Sequence, residues 1–238
     1  MKVEIWTDIM CPYCYIGKKL YEKALRGFSH ADELKLEWKA FQLNPDLPGN
    51  GNGIPVTDYL RNTARMSEED MEQMFQHIEK LANETDIIFN LRNAIAANSL
   101  DAHRLIKLSA EKGVENKVIS ALSKAYFEEA KDYSDHKVLT KIAIEAGISE
   151  SEVSEMLASD QYAYEVKQDI QEIANLGFDT VPFFLFDRKE AIIGSEPLEI
   201  FINTLHKAYA NRKSSLQETT EMNIQKGRAC NADGTCEI

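Results

Sequence analysis

The sequence predicts an α/β protein that opens β–α–β and closes β–β–α, with a large all-helical block between and a polar tail behind. Two observations carry this. Short β-prone segments stand near both ends of the first 211 residues, and helical spacing dominates from about Thr57 to Leu176.

Val3–Thr7 alternates and reads as the first strand. It runs through Asp8 into Cys11-Pro12-Tyr13-Cys14. A helix follows, from about Pro12 to Gly27, with Ile16, Leu20, Ala24 and Leu25 as its apolar stripe. Pro12 suits the first helical turn, where a missing N–H costs nothing. Leu34–Phe41 alternates again as a second strand. After a Pro/Gly loop ending at Gly53, Met71, Met74, Phe75, Ile78 and Leu81 recur at helical spacing. Asn93–Lys112 reads as one long helix stopped at Gly113, and Ser149 with Glu152 as a capping box. A helix over Tyr162–Leu176 ends at Gly177. Val181–Phe186, a turn at Asp187–Glu190 and Ala191–Gly194 form a hairpin, and a last helix covers about Glu196–Asn211. The remainder, to Ile238, is weakly patterned and carries Cys230 and Cys236.

A chain of 238 residues can bury a sizeable core, and 44% hydrophobic with 28% charged residues is an ordinary globular balance. The net charge of −12 repels phosphate backbones, which argues against nucleic acid as a partner. Glu4 and Asp8 interrupt the apolar residues that a signal peptide would need, and no window approaches the ~18 apolar residues of a membrane span. The expectation is a cytoplasmic protein without a membrane partner. In a reduced compartment four cysteines point to redox or metal chemistry before structural disulfides.

Cys11 and Cys14 stand where a strand meets a helix. Unpaired backbone N–H groups and the helix dipole stabilise negative charge there, so Cys11 is the expected thiolate nucleophile. Cys14, one turn in, is the resolving thiol: it attacks a mixed disulfide at Cys11 and closes Cys11–Cys14. At pH 7 a thiol of pKa ~8.5 is only ~3% thiolate and one of pKa ~6 is ~90%. A ~13-fold loss of intrinsic nucleophilicity offsets most of that ~30-fold gain, leaving about twofold. The larger effect is a better leaving group and a stabilised reduced form. Asp8 opposes this, since a nearby carboxylate raises a thiol pKa. Two other readings stay open on these residues alone: a pair of packed thiols, or a zinc site from Cys11, Cys14, Cys230 and Cys236. The second pair's five-residue gap departs from the usual zinc spacing, and no metal is expected.

Asp8–Gly17, Phe41–Pro45, Ala102-His103-Arg104-Leu105, Val181-Pro182-Phe183-Phe184 and Ile193-Gly194-Ser195 run in family order over residues 1 to about 211. On these pieces the chain resembles the DsbA-like thioredoxin-fold family, and within it the FrnE subgroup. The resemblance implies a thioredoxin fold formed by residues 1–56 and 177–212, a helical insertion over 57–176, and a tail over 213–238. It implies a cis peptide at Val181–Pro182, and a cis-proline loop beside the reactive cysteine whose Thr180 and Val181 backbone pairs with an extended substrate. His103 is a candidate groove residue, as are Trp6 and Tyr13. Asp179 and Thr180 depart from the small residues common there and bear on substrate choice.

The resemblance implies disulfide oxidoreductase or isomerase activity on protein or small-molecule thiols and disulfides. No cofactor is expected, with glutathione or another thiol as the exchange partner. Cys230 and Cys236 form a candidate second redox pair, a relay or guard for the Cys11–Cys14 site, with Asp233-Gly234 as the turn that brings them together. Two further readings compete. One is a glutathione-dependent isomerase or transferase of the 2-hydroxychromene-2-carboxylate isomerase or kappa-class type, whose members typically have serine where Cys11 stands. The other is a chaperone using the Met71–Leu81 stripe as a binding groove.

Overall fold

The computed structural model describes residues 1–83, 85–214, 222–232 and 235–236. β1 (Lys2–Thr7), α1 (Pro12–Arg26) and β2 (Lys35–Ala40) form the opening β–α–β unit, with β1 and β2 parallel from Lys2↔Lys35 to Thr7↔Ala40. The helical block comprises α2 (Val56–Asn62), α3 (Glu68–Ala82), α4 (Leu100–Glu111), α5 (Glu115–Phe127), α6 (His136–Ala146), α7 (Glu150–Leu157) and α8 (Ala163–Asn175). Two short strands, β3 (Ile54–Pro55) and β4 (Ile95–Ala96), pair at its base. β5 (Thr180–Val181), β6 (Phe183–Phe186), β7 (Glu190–Ile193) and α9 (Leu198–Ser214) complete the expected ending. This is the mixed α/β thioredoxin architecture that the sequence predicts.

The central sheet has the order β2-β1-β6-β7-β8, where β8 (Asn223–Lys226) comes from the tail and pairs parallel with β7. Phe183, Phe184, Leu185 and Phe186 are all fully buried, so β6 is covered on both faces. Alternation divides them. Phe184 meets Tyr21 of α1 and Phe201 of α9, at ring distances of 5.9 and 5.0 Å. Phe183 meets Trp6, at 5.5 Å, and the Trp6 indole N–H donates to the Asp169 carbonyl of α8, at 2.9 Å. Trp6 is thus a buried tie between sheet and helical block, and it does not line an open groove.

Four expectations change. The helix expected over Asn93–Lys112 begins only at Leu100, because Ile95–Ala96 is drawn into a strand against Ile54–Pro55. Gly53 permits that approach: a Cβ there would lie 2.5 Å from the Ile95 side chain. The strand expected over Val181–Phe186 is broken at Pro182, which has no N–H to donate to a ladder. The Met/Phe stripe is core: Met71, Met74, Phe75 and Ile78 are buried, which removes the groove a chaperone reading needs. Finally, the tail is not an appendage. It supplies β8 and then β9 (Cys230–Asn231), paired antiparallel with β5. The proposed Asp233-Gly234 turn lies outside the described residues.

Asp169 joins the helical block to the sheet. Its carboxylate accepts from the Ala40 backbone N–H at 2.8 Å and pairs with Lys107 and, at 3.3 Å, with Lys39. Its side chain is only 6% exposed, so removing it leaves an N–H and two largely desolvated ammonium groups short of a partner. Asp169→Ala is expected to cost about 2 kcal/mol, since Lys39 keeps Glu37 and Glu172. A urea titration should show a lower midpoint with an unchanged slope.

Candidate active site

The chain turns from β1 into α1 through Asp8–Cys11, where the Cys11 N–H donates to the Asp8 carbonyl at 3.2 Å. Cys11 is the N-cap of α1, Pro12 is in the first turn, and the Cys11 carbonyl accepts from the N–H groups of Cys14 and Tyr15. α1 lies close to the cis-proline loop because residue 17 is glycine. A Cβ there would sit 3.2 Å from both the Pro182 and the Phe184 side chains. The Val181–Pro182 peptide is cis, as the resemblance implied. Cys11 Sγ lies 3.8 Å from the Val181 carbonyl oxygen. Thus Cys11, Cys14, Thr180, Val181 and Pro182 converge at one end of the sheet.

The tail converges there too. Cys230 pairs with Val181 and Asn231 with Thr180. Cys230 and Cys236 are joined by a disulfide, while Cys11 and Cys14 are free thiols. Cys230 Sγ lies 3.4 Å from Cys11 Sγ, and both residues are fully buried. The four-cysteine zinc set is not assembled, because two of its thiolates are spent in this bond. Turn residues hold the tail in place. The Ser195 N–H donates to the Arg228 carbonyl at 2.9 Å, and Gly194 has φ +82°, with a Cβ there falling 2.3 Å from the Arg228 carbonyl oxygen. The small-residue turn at Ile193-Gly194-Ser195 is therefore a seat for the tail backbone.

Beneath the site, Asp8 is buried and accepts from the Leu43 N–H at 2.6 Å. His103 faces it, Nε2 to Oδ1 at 3.6 Å, and is itself 1% exposed. The structure therefore places His103 behind the cysteine loop, against Asp8, and not along a solvent-facing groove. Its neighbour Arg104 fastens α4 to the α7–α8 corner through the Met156, Ser159 and Gln161 carbonyls. Tyr126 belongs to the same buried set, and spacing did not reveal it. Burial pushes its hydroxyl pKa upward, and the charge of Asp8 adds to the shift.

The electrostatic expectation for Cys11 is reversed in this state. Burial pushes its thiol pKa well up, and the neighbouring Cys14 and the Asp8 charge push the same way. The Cys14 backbone N–H works in the opposite direction and does not prevail. Burial thus favours the thiol form of Cys11 over the thiolate.

These features define a thioredoxin-fold domain with a cysteine pair at a helix start facing a cis-proline loop. A profile of the DsbA-like thioredoxin domain matches residues 2–206, and the chain belongs to that family. A crystal structure described as a probable DsbA oxidoreductase from Streptomyces coelicolor superposes with a TM-score of 0.83 at 32% identity, covering 100% of this chain and 99% of that one. The YwbO protein of Bacillus subtilis is 24% identical over 174 residues, 72% of this chain and 76% of its own. The cytosolic disulfide reductase DsbM of Pseudomonas aeruginosa, solved with GSH, shares the fold with a TM-score of 0.59 at 13% identity, over 91% of this chain and 99% of its own.

Asp8→Asn removes a charge that disfavours the Cys11 thiolate. The pH midpoint of Cys11 alkylation by iodoacetamide should move down relative to wild type. An unmoved midpoint would mean that the Asp8 charge does not reach the sulfur.

Proposed function

We propose that this chain is a thiol–disulfide oxidoreductase in which Cys11 is the nucleophile, Cys14 resolves, and the Cys230–Cys236 disulfide is a built-in exchange partner. One observation carries the reading: a disulfide sulfur stands 3.4 Å from the Cys11 sulfur. Tethered partners act at a high effective concentration, whereas a free disulfide would have to reach a fully buried Cys11.

The exchange balances without a cofactor. The Cys11 thiol loses its proton and the thiolate attacks Cys230, forming Cys11–Cys230 and releasing the Cys236 thiolate. Cys14, deprotonated in turn, attacks Cys11 and releases the Cys230 thiolate, and the two tail thiolates take up the two protons that Cys11 and Cys14 gave up. Two electrons pass from the Cys11/Cys14 pair to the tail pair, and the reverse sequence returns them. The tail dithiol then exchanges outward with glutathione, another thiol, or a protein disulfide. The same contact makes the tail a guard, because it covers Cys11 and keeps it protonated between turnovers. A cytoplasmic setting, with glutathione as exchange partner, fits this cycle.

The test uses the full chain with Cys14→Ser, oxidised in the tail and reduced at Cys11. Quenching with N-ethylmaleimide should trap a Cys11–Cys230 link with Cys236 alkylated, seen by peptide mass mapping. Cys11→Ser should lower insulin reduction and dithiol-peptide oxidation by at least about 100-fold. If the wild-type protein instead isomerises a small glutathione adduct with no Cys11–Cys14 disulfide ever forming, the isomerase reading replaces this one.

A further inference from the structure

We infer that the docked tail is a template of the protein substrate, and that this site takes an extended chain with a small residue immediately before its reacting cysteine. The inference rests on the oxidoreductase reading above and adds to it a substrate class and a recognition rule.

The edge that pairs with β9 is the Thr180–Val181 backbone, next to the reactive sulfur. An extended segment added there gains backbone hydrogen bonds irrespective of its sequence. Side chains then decide which segment fits. In the tail, Cys230 stands opposite Val181 with its sulfur on Cys11. Ala229, just before it, is only 1% exposed and packs in the hydrophobic core. A residue with three more carbons at that position would have to displace close-packed neighbours. Asn231, just after it, places Oδ1 3.1 Å from the Thr180 hydroxyl, a polar contact available to a hydrogen-bonding side chain. Farther back, Gly227 lies so close to the Ser195–Glu196 backbone that a Cβ would meet it at 3.1 Å. The rule read from the tail is a small residue, then cysteine, then a residue that can face Thr180. Tail and substrate use one edge and exclude each other.

The experiment has two arms. In the first, iodoacetamide alkylation of Cys11 is followed in full-length Ala229→Leu and in Ala229→Gly. Ala229→Leu should accelerate it at least about tenfold by undocking the tail, while Ala229→Gly stays near wild type. Unchanged alkylation in Ala229→Leu, with native circular dichroism, overturns the inference. In the second arm, full-length Cys14→Ser, Cys230→Ser, Cys236→Ser with Gly227→Val, which leaves Cys11 as the single thiol and loosens the tail without touching position 229, meets two peptides. One is glycine–arginine–alanine–cysteine–asparagine and the other has leucine for alanine, each with its cysteine linked to thionitrobenzoate. Cys11 attacks the peptide sulfur and expels thionitrobenzoate, read by its absorbance. The alanine peptide should react at least about tenfold faster. Rates within twofold, or a leucine preference, overturn the recognition rule while leaving the oxidoreductase reading intact, provided the small disulfide dithiobis(nitrobenzoate) still modifies Cys11. If neither the peptides nor that small disulfide modifies Cys11, both readings fall.

Discussion

The arrangement turns on the backbone of Thr180 and Val181, a two-residue edge that presents peptide groups beside the Cys11 sulfur. Buried peptide groups demand partners, and an edge left open invites a strand. Here the partner is the chain's own Cys230–Asn231. That pairing places one disulfide sulfur 3.4 Å from the fully buried Cys11 and sets the tail along the Gly194 turn. Its strength is modest. A backbone hydrogen bond contributes about 0.5–1.5 kcal/mol net, and a two-residue pairing offers only a few. β8 adds four paired residues, but all are exposed and bury little apolar surface. Ala229 and Cys230, by contrast, are buried in the core.

The resting state also reconciles two opposing electrostatic arguments about Cys11. The helix start, with its free N–H groups, favours a thiolate, and the Cys14 N–H acts in that sense. Burial under the tail favours the thiol and wins. Access and acidity therefore change together. Burial is the largest cause of the raised pKa, and the Cys230 sulfur at 3.4 Å is among the groups packed on Cys11. Asp8 remains beneath, held by the Leu43 N–H and faced by His103.

Much of the fold was legible because its core elements are buried on one face or two. The alternation in β2, the apolar run of β6 and the stripe of α3 each report burial, whereas β1 is buried from Val3 to Thr7, Glu4 included, so its alternation marks a strand without marking its exposed face. Asn223–Lys226 is exposed at every position, so β8 carries no period to read. Ile95–Ala96 sits in an alanine-rich stretch compatible with a helix, and only the glycine contact 42 residues earlier turns it into a strand. The site divides the same way. Cys11, Cys14 and Pro182 announce themselves by spacing and resemblance. The places of His103, Tyr126 and Cys230 depend on long-range packing that no local window contains.

The tail also clarifies why the Ile193-Gly194-Ser195 turn is built from small residues. Gly194 needs its left-handed backbone, since φ +82° strains any residue with a Cβ. It needs its missing side chain as well, because the Arg228 carbonyl occupies that space. Gly227 meets the same turn from the other side. Two glycines facing each other let two backbones touch, and backbone contact fixes a register more tightly than side-chain packing would. Register is what keeps the two sulfurs together. A one-residue slip would rotate the Cys230 side chain to the opposite face of the strand and carry its sulfur away from Cys11. The glycines thus help to hold the Cys230 sulfur beside Cys11 although neither touches it.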